Sequence, residues 1–279
     1  MKYDLVVSPF NVGLAQIVEV ARCAEESGFD GVWTLDHLSG TMIDRGRSHD
    51  VFTTLGAIGA VTSSIRIGPL VANMINYHPA RLALAMASLQ SLTGGRAVLG
   101  LGAGAGPGSR FAREHIAIGT NLLTAPERRR RLIETIDAVK YCWANPADRE
   151  GTFTGEYYTI DGELLGEVTD EEPMPPVIIG VNGPVLAALA VNHAQGVNIN
   201  LGPQTGAVLD LVGDRGARDP GFEVSLHLEF DPDHPQGGEL VNHPLAAEAD
   251  RVTLAIAEPF DLAGVARVGD RLSGVNQSS

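Results

Sequence analysis

The chain has 279 residues, 34 of them acidic and 20 basic, for a formal net charge of −14. Such a surface repels a phosphate-rich polymer, which argues against nucleic-acid binding, and no stretch approaches the roughly 18 apolar residues of a membrane span. With 44% hydrophobic residues the chain can bury a sizeable core, and its two cysteines, Cys23 and Cys142, expected to be reduced and buried, exclude a disulfide framework.

The N-terminal residues 1–8 hold an acid inside a short apolar run and no small-residue cleavage site, as expected of a soluble cytoplasmic protein. Short β-rich runs then alternate with segments of helical period, the pattern of βα units feeding a parallel sheet. A first strand is predicted at residues 5–8 and a helix at 14–27, with apolar Ile17, Val18, Val20, Ala21 and Ala24 and a C-cap at Gly28. The second strand spans residues 31–35, too short for a helix. A helix at 51–63, a strand at 65–72, a helix at 79–92 and a strand at 97–102 complete four beats. The rhythm loosens into a glycine-rich loop, and a long helix at 126–143 opens with Arg128-Arg129-Arg130-Arg131. Four cations at a helix start oppose its dipole, so the run either is solvated or faces an acidic partner. Residues 153–160 alternate like a hairpin, and 161–176 read as an acidic loop. Strands at 176–180, 197–201, 222–230 and 251–257 and helices at 185–193 and 205–213 continue the pattern, with no full helix apparent between 231 and 250. The expected fold is one α/β domain over residues 1–279, a parallel (β/α)8 TIM barrel with an insertion after strand four and a shortened C-terminal part.

In such a barrel right-handed crossovers bring every strand's C-terminal end to one rim, so position alone defines the candidate site. The rim carries Pro9-Phe10-Asn11, Asp36-His37, Asn73-Met74, Gly102 to Arg110, Val181-Asn182-Gly183 and Gly202-Pro203-Gln204. His37 follows a buried strand directly, where an imidazole can donate, accept or shuttle a proton, although a histidine capping a neighbouring loop would occupy the same place. Asp36 either orients that ring, binds a cofactor hydroxyl or points into the barrel wall. The glycines of residues 99–110 let backbone amides approach a ligand, with Arg110 a candidate anion ligand, but tight turns alone explain such a run equally well. Gly180-Val181-Asn182-Gly183-Pro184 leads into a helix whose first-turn amides suit a phosphate, or simply starts that helix. The eight histidines show neither His-x-His nor His-Glu-x-x-His spacing, so no metal site is expected.

Taken in order, six blocks between about residues 13 and 200 resemble the bacterial luciferase-like monooxygenase superfamily. They are Ala24-Glu25-Glu26-Ser27-Gly28-Phe29-Asp30-Gly31-Val32-Trp33 leading to Asp36-His37; Ala60 to Gly68; His78-Pro79-Ala80; Leu92-Thr93-Gly94-Gly95-Arg96 to Gly102; Phe153-Thr154-Gly155-Glu156-Tyr157-Tyr158; and Pro175 to Gly180. The resemblance implies a barrel that uses the deazaflavin coenzyme F420 for hydride transfer to or from a small organic substrate. Reduced FMN with molecular oxygen is the alternative, and a flavin-binding barrel without turnover the third reading. By that similarity His37 is the active-site histidine, and Asp36, Leu70, Val71, Asn73, Asn182 and Gly183 contact the cofactor, with a cis peptide at Leu70-Val71 forming a bulge behind its ring. Ala103 and Gly104 of the glycine loop are cofactor candidates by position. A homodimer through the second and third helices and a separate flavin or deazaflavin reductase are the implied partners. Two positions depart from the deazaflavin-dependent glucose-6-phosphate dehydrogenases: Ala105 stands where they place a glutamate acid, and Thr41 where they place a tryptophan. Beyond residue 200 the likeness fades, which assigns substrate selection to the far rim.

Overall fold

The structure, a computed structural model, describes residues 1–149, 151–169, 173–229, 244–256 and 260–276. Strands β1 (Lys2–Val7), β2 (Gly31–Thr34), β3 (Arg66–Pro69), β4 (Ala72–Asn73) and β5 (Leu99–Gly102) come first. After a small antiparallel hairpin of β6 (Thr152–Thr154) and β7 (Thr159–Asp161) follow β8 (Val177–Val181), β9 (Gly196–Asn200), β10 (Glu223–Glu229) and β11 (Arg251–Ala255). All but the hairpin pair in parallel, in the order β3-β2-β1-β11-β10-β9-β8-β5-β4. β3 and β4 are two halves of one stave interrupted at Leu70-Val71, whose peptide bond is cis, as the resemblance implied. One half ends the sheet on each side, and Ile67 bridges Ala97, so the sheet closes on itself as an eight-stave barrel.

The described α-helices are α1 (Leu14–Glu26), α2 (Val51–Val61), α3 (Pro79–Thr93), α4 (Ala112–Ala117), α5 (Ala125–Trp143), α6 (Gly162–Leu165), α7 (Pro184–His193), α8 (Thr205–Arg218) and α9 (Leu262–Asn276), with short 3-10 turns at Thr41–Ile43, Met74–Asn76 and Pro244–Glu248. Local chemistry sets their ends. The Asp50 side chain accepts from Thr53 N to start α2, Thr124 and Glu127 form a reciprocal capping box on α5, and Gly94, at φ +60°, closes α3. Ile17, Val20, Ala21 and Ala24 recur at helical spacing and are all buried, which seats α1 on the sheet.

Side chains alternate across each stave. Outward residues such as Leu5, Val32, Ile67, Leu99 and Val197 join the helices in the main core, whereas Val6, Trp33, Leu70, Val98 and Ile178 form a separate cluster inside the barrel. Charge plugs the N-terminal end. Arg251 donates twice to Asp4, at 2.9 and 3.0 Å, Trp33 Nε1 donates to the same carboxylate at 2.9 Å, and Arg66 pairs with Glu223. A closed floor leaves the opposite rim as the way into the barrel.

Several expectations change. β10 and β11 complete the ring and α9 packs along α1, so the expected C-terminal shortening does not reach the sheet. Gly264, Gly269 and Gly274 break the helical pattern of α9 in the sequence, and packing overrides that weak propensity. The stretch between β10 and β11 where no helix was expected lies largely outside the described residues, as do Phe230 and Ala257, the predicted ends of the last two strands. α8 runs past Gly213 to Arg218, with Val208, Leu209 and Val212 buried along it. Cys142 is buried, but Cys23 is only half-buried. No described helix is long and apolar enough to cross a membrane.

Candidate active site

The C-terminal rim opens onto a cavity of about 770 Å³. Its apolar wall is shaped by the interrupted stave. A Cβ on Gly102 would lie 2.5 Å from Val71 Cγ2, and one on Gly180 would lie 3.0 Å from Val71 Cγ1. Val71 therefore projects into the barrel where β5 and β8 carry no side chain, and with Leu70 it forms a hydrocarbon surface at the cavity's edge. Asn198, Asn200 and His227 face the cavity from β9 and β10 and make the opposing side polar.

All nine residues nominated from the sequence line this one cavity: His37, Asp36, Leu70, Val71, Asn73, Ala103, Gly104, Asn182 and Gly183. They differ in what their polar atoms do.

His37 is held from three sides. Its ring stacks on Phe111 with centroids 4.9 Å apart, Phe10 lies at 5.5 Å, and Nδ1 contacts Glu114 Oε2 at 2.9 Å. Glu114 is buried, and its other oxygen accepts from Ser39 N at 3.2 Å. A carboxylate can only accept, so the neutral ring carries its proton on Nδ1 and presents the Nε2 lone pair to the cavity. Glu114 sits on α4, a helix of six residues that the sequence did not disclose, because one and a half turns show no periodicity. Ala105 has no carboxylate to offer, and Glu114 supplies one from nine residues further on. Thr41 is exposed, in a short 3-10 helix.

Asp36 does not orient the His37 ring. Its carboxylate accepts from Asn73 N at 2.7 Å and from the Tyr77 hydroxyl at 3.0 Å, tying the loop after β2 to the end of β4 and the segment beyond it. Burial pushes its pKa up to about 6, and the same burial together with Asp36 raises that of Tyr77. The adjoining glycine loop is organised by buried His115, whose Nε2 accepts from Ala105 N at 3.3 Å and contacts Asn73 Nδ2 at 3.4 Å. Burial lowers the His115 pKa and keeps the ring neutral.

The arginine run divides. Arg128 donates from Nη1 to Gly104 O at 2.8 Å and lines the cavity with Arg129, Arg130 pairs with Glu156 on the surface, and Arg131 donates to the Tyr158 hydroxyl. Arg110, nominated as an anion ligand, instead lies over the Phe111 ring. Asn182 accepts from Asn200 Nδ2 at 2.6 Å, and Gly183 precedes α7 without a side-chain cap, which leaves the first-turn amides of Val185 and Leu186 beside the cavity. The polar residues of the far wall were also missed. Their signal was polarity with period two in otherwise apolar strands, as in Asn198 and Asn200 or Ser225 and His227.

A family model for luciferase-like monooxygenases matches residues 2–229. The chain belongs to the luciferase-like monooxygenase family. Among curated relatives, it is 28% identical over 275 residues to the F420-dependent glucose-6-phosphate dehydrogenase of Microbacterium testaceum, covering 94% of this chain and 78% of the relative. It is 36% identical over 182 residues to the F420-dependent hydroxymycolic acid dehydrogenase of Mycobacterium tuberculosis, covering 65% of this chain but 48% of the relative. An F420-dependent secondary alcohol dehydrogenase, solved in complex with an F420–acetone adduct, superposes with a TM-score of 0.78 at 19% identity, covering 96% of this chain and 97% of that one. That structural likeness bears on the fold. In this luciferase-like chain the barrel and the cis Leu70-Val71 peptide are as the resemblance implied, His37 lies at the rim, and the carboxylate beside it is reached from α4.

Proposed function

We propose that this luciferase-like protein is an oxidoreductase that binds coenzyme F420 and exchanges hydride with a small organic substrate, His37 handling the matching proton. The observation that carries the reading is the 2.9 Å contact between Glu114 Oε2 and His37 Nδ1, which leaves Nε2 of the ring to a cavity walled by Val71. The F420 dependence of the two curated relatives supports the choice of cofactor.

The residues present fit such a group. Leu70 and Val71 offer hydrocarbon to a flat ring, in space that a Cβ on Gly102 or Gly180 would fill. Asn182, Gly183 and the uncapped start of α7 suit a phosphate. Asp36, Asn73, Ala103 and Gly104 line the remaining approach. When bound, the deazaflavin supplies two-electron hydride chemistry, and the protein contributes orientation and a sheltered pocket. His37 Nε2 takes the proton from an alcohol undergoing oxidation, or returns it to a carbonyl undergoing reduction, while Glu114 stabilises the imidazolium.

Absorbance titration with F420 and with FMN tests the reading. F420 is expected to bind at micromolar concentration, and His37→Ala to keep that binding while losing turnover by about 10²–10⁴-fold. Binding of FMN alone replaces the reading with a monooxygenase fed by a separate reductase; binding without any turnover leaves a flavin-binding barrel; binding of neither sinks all three. A cytoplasmic homodimer is part of the same reading. Exposed Leu84 and Leu92 on α3 support pairing through α2 and α3, and light scattering on the purified chain tests it.

A further inference from the structure

The polar wall opposite Val71 has no part in the proton transfer above. Asn198 on β9, Ser225 and His227 on β10 and Thr253 on β11 face the barrel interior in two successive layers, with Ser225 in register with Asn198 and His227 in register with Thr253. Their hydrogen bonds run in a single direction. The Ser225 hydroxyl donates to Val197 O at 3.0 Å, so its oxygen is left to accept from Asn198 Nδ2, also at 3.0 Å. The second proton of Asn198 Nδ2 goes to Thr253 Oγ1 at 3.2 Å. Thr253, an acceptor in that contact, has its own hydroxyl proton to place, and His227 Nδ1 lies 3.0 Å away. Among the described residues Thr253 Oγ1 makes no hydrogen bond besides these two. If Nδ1 accepts, the proton of the neutral ring resides on Nε2. Burial lowers the His227 pKa, against a smaller opposing effect of Glu229, so the ring stays neutral. His227 lines the cavity, and its Nε2 has no hydrogen-bond partner among the described residues.

We propose that His227 is a ligand-binding residue, locked by the Asn198–Thr253 relay as an Nε2–H donor that takes a carbonyl oxygen on the ring of the bound cofactor. The inference rests on the cofactor reading above. That N–H faces the open cavity, so a ligand that displaces the solvent there must offer an acceptor in its place. The two sides of the cavity then suit a ligand with an apolar ring face and an edge bearing carbonyl oxygens, which is the chemistry of a deazaflavin or flavin ring. Leu70 and Val71 can meet only the face, and His227 meets the carbonyl edge. The two cavity histidines have opposite polarity. Glu114 makes His37 Nε2 an acceptor, suited to proton transfer, whereas Thr253 makes His227 Nε2 a donor, suited to recognition.

The test uses the full chain labelled with 15N-histidine, in two-bond proton–nitrogen spectra near pH 7.5, with His227 assigned from the signals lost in His227→Gln. The free protein is expected to show a protonated Nε2 and an unprotonated Nδ1 at His227, and Thr253→Val to mix the tautomers. Adding F420 is expected to shift the Nε2 resonance. His227→Phe should raise the Kd for F420 by about tenfold, the worth of one hydrogen bond, while His227→Gln, which retains an N–H and serves as the folding control, should raise it by less than about threefold. A ring protonated on Nδ1 or doubly protonated in the free chain overturns the inference, as does wild-type affinity in His227→Phe. Should the wild-type chain bind neither F420 nor FMN, the cofactor reading falls and ring recognition falls with it; a wrong tautomer in a chain that does bind F420 overturns the inference alone.

Discussion

Glu114 Oε2 lies 2.9 Å from His37 Nδ1, joining the end of β2 to a six-residue helix 77 residues further along the chain. The contact sets both the tautomer and the orientation of the ring, and it provides a negative charge for the imidazolium that forms when Nε2 takes a proton. Glu114→Gln keeps an oxygen acceptor and the side-chain shape but loses that charge. Turnover is expected to fall by about 10²-fold, with F420 affinity changed less than about threefold. Steady-state kinetics beside a cofactor titration separate the two, and an unchanged kcat would remove Glu114 from the mechanism.

Val71 and Gly102 form a second tight pair. Gly102→Ala places a Cβ 2.5 Å from Val71 Cγ2 and should destabilise the fold by about 1–3 kcal/mol through overpacking, with weaker F420 binding. Val71→Ala added to it removes the colliding methyl groups, so the double variant should be more stable than the sum of the single changes predicts. Urea denaturation of the three variants measures the coupling, and strict additivity would show that the two residues do not compete for the same space.

The raised pKa of Asp36 predicts a pH dependence of stability. In the folded chain burial lifts this carboxyl to about 6, against about 3.9 for an ordinary aspartate. The native state therefore holds the proton more tightly than the unfolded state. The stability this group contributes is fully present below about pH 4 and is lost as the pH rises through about 6. Asp36→Asn, neutral throughout, should flatten that part of the profile while still accepting from Asn73 N. Urea midpoints between pH 4 and 7 check it; an Asn variant with the wild-type slope would assign the effect elsewhere.

At the closed end of the barrel, Arg251 and Asp4 are almost fully buried and pair at 2.9 Å. Arg251→Met strands the carboxylate and should cost about 3–5 kcal/mol. Asp4→Asn in the same chain removes the unpaired charge and can still accept from Trp33 Nε1, so more than half of the loss should return. Equal stability of the single and double variants would mean that charge is not the cause.

The repeating layout was legible in the sequence because it is written in local terms: buried strands of four to six residues, helices with apolar side chains at three and four, and glycine, proline or capping residues between them. His37 was legible for a related reason, since closing a parallel barrel brings every strand end to one rim, and a histidine directly after a strand must stand there. Glu114, Arg128, Asn198 and His227 were not. Glu114 lies on a helix too short to show a period, Arg128 was indistinguishable from the three arginines that follow it, and the polar residues of β9 to β11 gain meaning only once three distant strands lie side by side. Asp36 shows the same limit from the other direction, because sequence put it beside His37 and the fold turned its carboxylate to Asn73 and Tyr77.

The sequence by itself thus determined the barrel and the rim on which its chemistry is placed, because periodicity and turn residues act through near neighbours along the chain. Only the tertiary structure decided which proton each cavity histidine carries. That depends on a carboxylate for His37 and a hydroxyl for His227, each within about 3 Å and each from a different part of the chain, and contacts of that kind exist only after the barrel has closed.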